Sequence, residues 1–475
     1  MHGERRRLRQ QRTELTMARD AAPSLAMQLA TLVKNVNYDR LPADTVIACK
    51  RVLLDTLGCA IGAIDSPPAR IMLNLIPQVK DDAPGATVIG TGQRTTAEGA
   101  ALVNGTLVRY LDFMDVYWSR DICHPSENIP PVMACIEEAG GNGKDLIEAI
   151  VAAFEVQIRL ADAFSFEEIG LHHVSAAGFV VPLVAGKIWR QSAEQMANGS
   201  TLAGASGLTL ATLAVGELSM AKAVGYARNS AAAITAARAA GMGFTGPLQS
   251  YEWLLTKVGK TPAAAALSAD DTGRWRIGDV SLKRYPIQYA LQAPVEAAAQ
   301  LHRDLAGRYD EISRIVISVH TRQLARAADP AKFHPANRET ADHSLPACVA
   351  MALRDGKVTE DQFDNSRFTH PDILTLVGKT SAVGSDDYDR RLPKGRPGAV
   401  EVHLMDGSVL KSAVEVPFGD ASRPFTGDVL ADKFRRLCEH RLLPAQTGQI
   451  MALVNDLERL DSIRPLMALM RARTH

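Results

Sequence analysis

From residue 24 to about 270, apolar residues return at three- and four-residue intervals, the spacing of one helix face. LAMQLATLVKNV (25–36), TVIACKRVLLDTLGCAIGAI (45–64) and DLIEAIVAAFEVQIRLADAF (145–164) each predict an amphipathic helix. LPADTV offers an aspartate cap before the second, and the prolines of HPSENIPPV (124–132) mark a further helix start. Segments 176–190 and 228–241 are small or apolar on nearly every side, which predicts helices buried all round inside a large bundle.

The period changes near 268. EISRIVISVHT (311–321) alternates apolar with polar residues, the mark of a half-buried strand. GAVEVHLMDGSVLKSAVEVPFG (398–419) alternates on both sides of Asp406-Gly407, a strong short-range hairpin signal. Helical stretches are expected around 292–304 and 341–355, and the helical period resumes after about 420 in VLADKFRRLCEH and QIMALVNDLERL. The reading is a mainly α protein: an all-helical domain (23–269 with 419–475) into which a smaller α+β lid domain (270–418) is inserted. No internal repeat stands out.

A length of 475 residues suits two domains or three small ones. Apolar residues make up 46%, charged residues 22% and aromatics only 5%, which favours close-packed helices over strands. A formal net charge of zero gives no overall field for nucleic acid or an anionic membrane. No apolar run approaches the ~20 residues of a membrane span. The basic start, residues 1–22, lacks the apolar stretch of a secretory signal. It is expected as a solvated, disordered tail, with a nucleic-acid arm or an organelle address as alternatives. Six scattered cysteines without a CxxC pair read as buried thiols of a cytoplasmic protein and disfavour a cysteine-built metal centre.

Several stretches hold polar groups that a plain bundle does not need. Asp112 and Asp115 share a helix face ahead of His124, a residue type able to give or take a proton, or simply a capping or interdomain histidine. His172 and His173 precede a nearly all-apolar helix; side chains of neighbours diverge by roughly 100°, so only one is expected to face a pocket. Lys222 opens a small-residue helix that carries Arg228 further along. SLKRYPIQYALQAP places Lys283, Arg284, Tyr285 and Gln288 at the expected domain junction. GxSxG, GxxxxGK[ST] and strand-linked GxGxxG signatures are missing. DFMD is half of a magnesium-binding acid motif, but such a diphosphate site wants more carboxylates and aromatic walls.

Taken in order, LLDTLGCAIGA, YLDF-x-D with HPS after it, GLHHVSAAG, MAKAVGYARNSAAAITAARAAGMGFTGP, LKRYP and ADHSLPACVAMAL resemble the MmgE/PrpD family over about residues 24–470. That family includes 2-methylcitrate dehydratase, cis-aconitate decarboxylase and iminodisuccinate epimerase. The resemblance implies a helical domain with an α+β lid, a homodimer, and a small di- or tricarboxylate substrate. It places the active-site acid on Asp112, histidines on His124 and on His172 or His173, and pocket lysines on Lys222 and Lys283. Two departures stand out: Gln288 where decarboxylase relatives often have histidine, and Ala347 where many relatives have tyrosine.

The expected chemistry is elimination from a hydroxy di- or tricarboxylate, without metal or cofactor. His124 and His172 share the acid and base roles, Asp112 orients one of them, and Lys222, Lys283, His173, Arg284 and Gln288 bind the anion. Decarboxylation or epimerisation, and a non-catalytic carboxylate-binding relative, are the alternatives.

Overall fold

The computed structural model describes residues 23–257, 267, 274–392 and 395–473; the expected tail, 1–22, lies outside them. The principal helices of the larger part are α1 (Leu25–Asn35), α2 (Ala43–Gly62), α3 (Ala97–Tyr110), α4 (Ile129–Ala139), α5 (Gly143–Ala163), α6 (Ala177–Ile188), α7 (Ala193–Ser206) and α8 (Ala221–Gly241). Their starts follow local chemistry. Ser24, Thr96, Asn142 and Ser192 cap α1, α3, α5 and α7 with side-chain oxygens, and Asn142 and Ser192 form reciprocal capping boxes. Pro42, not Asp44, occupies the cap of α2; Asp44 lies inside the first turn, where its carboxylate accepts from the Thr45 N–H.

Helix α6 is buried along Ala177–Gly186, as its composition predicts. Helix α8 is not buried all round: Ala232 and Thr235 are exposed. Its small residues serve one-sided close packing instead. A Cβ on Gly105 of α3 would come within 2.8 Å of the Ala227 Cβ, so the two backbones meet where only glycine fits.

The α+β part contains α9 (Gln292–Leu305) and α10 (Leu345–Asp355) against a four-stranded sheet of β1 (Ile312–Val319), β2 (Thr380–Gly384), β3 (Gly398–Leu404) and β4 (Val409–Val414). The spatial order is β2-β1-β3-β4. β1 runs parallel to β2 and antiparallel to β3, and β3–β4 is the expected hairpin, with Gly407 at φ +84° in its turn. β2, the short TSAVG segment, carries no alternation, and the sequence pattern did not announce it. Helix α11 (Gly427–Cys438) and the chain after it return to the helical part: Phe434, Leu437 and Ile450 share a core with α2 and α5, while residues from Tyr285 to Val414 build a separate core around the sheet. The fold is thus a large helical part plus a smaller α+β part with a mixed sheet.

Candidate active site

Stretches far apart in the chain deliver polar side chains to one buried cavity. Asp112 follows the end of α3 in a left-handed conformation, φ +49°, which aspartate tolerates better than most residues. Arg109, one turn earlier on α3, donates from Nη1 to Asp112 Oδ1 at 2.6 Å, and Lys283 Nζ donates to the same oxygen at 2.7 Å. Lys433 from α11 lies beneath them. It pairs with Asp55 of α2 at 2.7 Å and donates to the main-chain carbonyls of Phe113 and Lys283, the one next to Asp112 and the other Lys283's own.

His124 precedes a 3-10 turn (Pro125–Asn128) that feeds α4. Its Nδ1 lies 2.6 Å from the Asp115 carbonyl, which can only accept, so Nδ1 carries the proton and Nε2 keeps its lone pair. Asp115 is itself fixed by the Ser126 N–H and hydroxyl.

His172 caps the turn His173–Ala176, its Nδ1 accepting from the Val174 N–H at 3.4 Å. The neutral ring therefore carries its proton on Nε2, the opposite tautomer to His124. His173 lies edge-on to His124 with ring centroids 5.3 Å apart, and 4.2 Å from His172. Both histidines line the cavity, against the expectation of one, because the pair enters the turn from extended backbone and not from within a helix.

Lys222 opens α8 and donates to both carboxylate oxygens of Asp342, each at 2.8 Å. Asp342 Oδ1 also lies 2.5 Å from Nδ1 of its neighbour His343, whose Nε2 is 3.7 Å from Asp112 Oδ2. Gln288 lines the same cavity; its N–H donates to the Asp342 carbonyl, and its buried Oε1 has no hydrogen-bond partner among the described residues.

His124, His172, His173, Asp112, Lys222, Lys283 and Gln288 therefore meet in one place. Arg284 does not. Its guanidinium is exposed over the Tyr285 and Phe418 rings and lines a different cleft, because successive residues of the extended LKRYP stretch point to opposite sides and Lys283 takes the inner one. Arg228 is exposed as well. Asp112 orients neither His124 nor His172: its partners are the two cations, and His124 is held by a main-chain carbonyl. Ala347 sits in the sheet-side core, not in the cavity wall. Arg109, Asp342 and His343 were missed. Arg109 stands three residues before Asp112 in the RYLDF stretch, and Asp342-His343 opens the ADHS stretch, so a charge-pair search of both would have found them.

Burial dominates the electrostatics. It lowers the imidazoles: His172 falls to about 3 and His343 to about 4, and His124 and His173 fall well below their ordinary value, with the neighbouring cations adding to the effect. The cavity thus presents neutral imidazoles. Burial works to raise Asp112, but Arg109, Lys283 and Lys222 outweigh it and hold the carboxyl well below the usual range. Burial lifts Glu127 to about 8 against the pull of Arg109, and Asp115 to about 7 against its Ser126 hydrogen bonds.

Asp112, Asp342 and His343 offer ligand atoms within 4.8 Å of one another. A divalent ion does not fit this donor set, since ammonium groups already sit at 2.7–2.8 Å from both carboxylates, where the ion's charge would go. The arrangement suits an organic anion: the cations Arg109, Lys222 and Lys283, N–H donors of fixed tautomer, and imidazoles able to exchange protons with carbon and oxygen.

Two family models match the chain: the MmgE/PrpD N-terminal domain over residues 27–258 and the MmgE/PrpD C-terminal domain over 285–458. Among similar proteins, a 2-methylcitrate dehydratase of Cupriavidus necator is 29% identical, the match covering 89% of this chain and 91% of the relative. One from Escherichia coli K12 is 25% identical over 93% and 96%. A cis-aconitate decarboxylase-like protein, oryM, of Aspergillus oryzae is 23% identical over 95% and 98%. With both domain models matched in order along most of its length, the chain belongs to the MmgE/PrpD family.

Proposed function

We propose that this protein is a hydro-lyase that dehydrates a small hydroxy di- or tricarboxylate of the 2-methylcitrate type by acid/base elimination, using its own side chains and no metal or cofactor. The observation that carries the reading is the cavity itself, where Arg109, Lys222 and Lys283 face a group of neutral imidazoles. Substrate carboxylates bind to Lys283, Arg109 and the Nε2–H of His172, and Gln288 Oε1 accepts from the substrate hydroxyl. His124, with its Nε2 lone pair free, takes the proton α to a carboxylate, and the electron pair left behind is delocalised into that carboxylate beside the cations. The 2-methylcitrate dehydratases among the relatives support the substrate class.

The division into a helical body (23–269 with 419–475) and a lid (270–418) accords with this, because the cavity takes residues from both: Lys222 from the first, Gln288 and His343 from the second. A homodimer accords with the exposed apolar side chains Leu208, Met242, Phe244 and Trp253 on one stretch of the helical part. Six buried, unpaired cysteines accord with a cytoplasmic setting.

Incubation of the purified protein with 2-methylcitrate, citrate, cis-aconitate and iminodisuccinate, followed by NMR, tests the reading. Loss of water from a hydroxy acid, or its addition to cis-aconitate, is expected. The Aspergillus relative favours decarboxylation as the second reading; release of CO₂ with no hydration or dehydration would put it first.

A further inference from the structure

We infer that His343, positioned by Asp342 and through it by Lys222, is the general acid that protonates the departing hydroxyl, and that His124 is the base. This rests on the dehydratase reading and extends it to a residue pair that the sequence did not single out.

A general acid here must be an imidazole that can carry an extra proton, which a neighbouring carboxylate favours. Among the described residues, His343 is the one cavity histidine with a side-chain carboxylate oxygen within 4.0 Å. Asp342 Oδ1 lies 2.5 Å from its Nδ1, and Asp112 Oδ2 lies 3.7 Å from its Nε2. The carboxylate assigns a proton to Nδ1 and stabilises the imidazolium. Asp342 cannot swing away, since Lys222 grips both its oxygens and its main-chain carbonyl accepts from the Gln288 N–H. Lys222 Nζ, 3.5 Å from His343 Nδ1, by itself opposes the extra proton. An arriving substrate brings two or three negative charges and reverses that balance. His124 has the opposite setting. A main-chain carbonyl holds its ring, and Lys283 and Arg109 are the charges that act on it most, so it enters the reaction as a neutral base.

The His124 Nε2 lone pair takes the α-hydrogen as a proton. The C–H electron pair becomes the second bond of the new C=C, and the C–O bond breaks with its electrons going to oxygen. The oxygen takes the Nε2 proton of His343 and leaves as water. His124 ends protonated and His343 neutral, and exchange with solvent resets both when product departs.

Two measurements test the assignment. First, His343→Asn keeps an N–H near the Nδ1 position and removes the Nε2 proton. Its kcat on the hydroxy substrate should fall by roughly 10²–10⁴-fold. Elimination of fluoride from the analogue with fluorine in place of the hydroxyl, which needs no strong acid, should stay within about tenfold of wild type. His124→Ala should lose both reactions. Second, ¹⁵N-histidine spectra with saturating citrate at pH 7 should show His343 as imidazolium, and the signal should become neutral in Asp342→Asn. The inference fails if His343→Asn dehydrates at near wild-type rate, if it loses fluoride release as completely as His124→Ala, or if His343 stays neutral with citrate bound. If wild-type protein dehydrates none of the hydroxy acids, the dehydratase reading fails, and the spectra still decide whether the dyad holds the proton.

Discussion

Lys283 donates from one ammonium group to both the carboxylate Oδ1 (2.7 Å) and the main-chain carbonyl (2.9 Å) of Asp112. The second bond matters because Asp112 holds a left-handed backbone conformation, and the lysine clasps the carbonyl that this conformation presents. One residue therefore fixes both the shape and the charge of the cavity floor.

Removing that ammonium should cost more than a surface ion pair would. Lys283 and Asp112 are 0% and 1% exposed at their side chains, so Lys283→Met leaves the buried carboxylate with Arg109 as its one hydrogen-bonded cation among the described residues. Breaking one partner of a buried pair costs about 3–5 kcal/mol. The urea midpoint should drop accordingly and turnover should vanish. Lys283→Met with Asp112→Leu should regain part of the stability and none of the activity. A Lys283→Met protein as stable as wild type would show that the pair contributes little.

Glu127 should make stability fall as pH rises. Its folded carboxyl titrates at about 8, raised by burial against the pull of Arg109 3.6 Å away, while the unfolded one titrates near its ordinary value. Between about pH 4.5 and 8 the native state holds a proton that the unfolded state has lost. The stabilisation is therefore complete below the unfolded pKa and is lost as pH rises through the folded one. Glu127→Gln removes this titration. The variant should gain on wild type by up to about 1.4 kcal/mol per pH unit across that window. Parallel denaturation curves at pH 5.5, 6.5 and 7.5 check it; a difference that does not change with pH contradicts it.

Anion binding should take up protons. With His172 lowered to about 3 and His343 to about 4, the rings are uncharged at pH 7 until a substrate arrives. The bound anion favours the charged imidazole, so citrate binding measured calorimetrically in buffers of different ionisation enthalpy should show net uptake of about one proton. After correction for citrate's own titration, affinity should weaken as pH rises, by up to about tenfold per unit. Proton release on binding would contradict the neutral-imidazole account.

The sequence reveals most of this in the places where periodicity is strong. The helical bundle and the β3–β4 hairpin are written in three-to-four-residue and alternating patterns, and β1 is legible for the same reason. β2 is not, since five short residues at a sheet edge, paired on one side only, need no alternation. In the site, the motif residues were legible by type. Their partners were not, because Asp342 meets Lys222 across 120 positions and Lys283 meets Asp112 across 171, separations that local pattern does not encode. Arg284 was misplaced for a related reason: two adjacent cations look alike in sequence, and only the path of the extended chain decides which one turns inward.

The mouth of the cavity should act as a latch. The void measures about 80 Å³, well below the roughly 300–1,000 Å³ of ligand pockets, so substrate enters only if the walls part. Glu167 of the helical part, itself a wall residue, accepts from Arg322 of the α+β part at 2.5 Å and pairs with Arg326 beside it. These side chains are a third or more exposed, or nearly so, and such pairs contribute about 0–1 kcal/mol, too little to matter for folding but enough to bias opening several-fold. Glu167→Gln and Arg322→Gln should each leave the urea midpoint nearly unchanged and speed citrate entry in stopped-flow measurements. The two changes shift the charge at the mouth in opposite directions. If they alter the entry rate in opposite senses, the effect is electrostatic steering and no latch exists; if both accelerate entry, the contact itself holds the cavity shut.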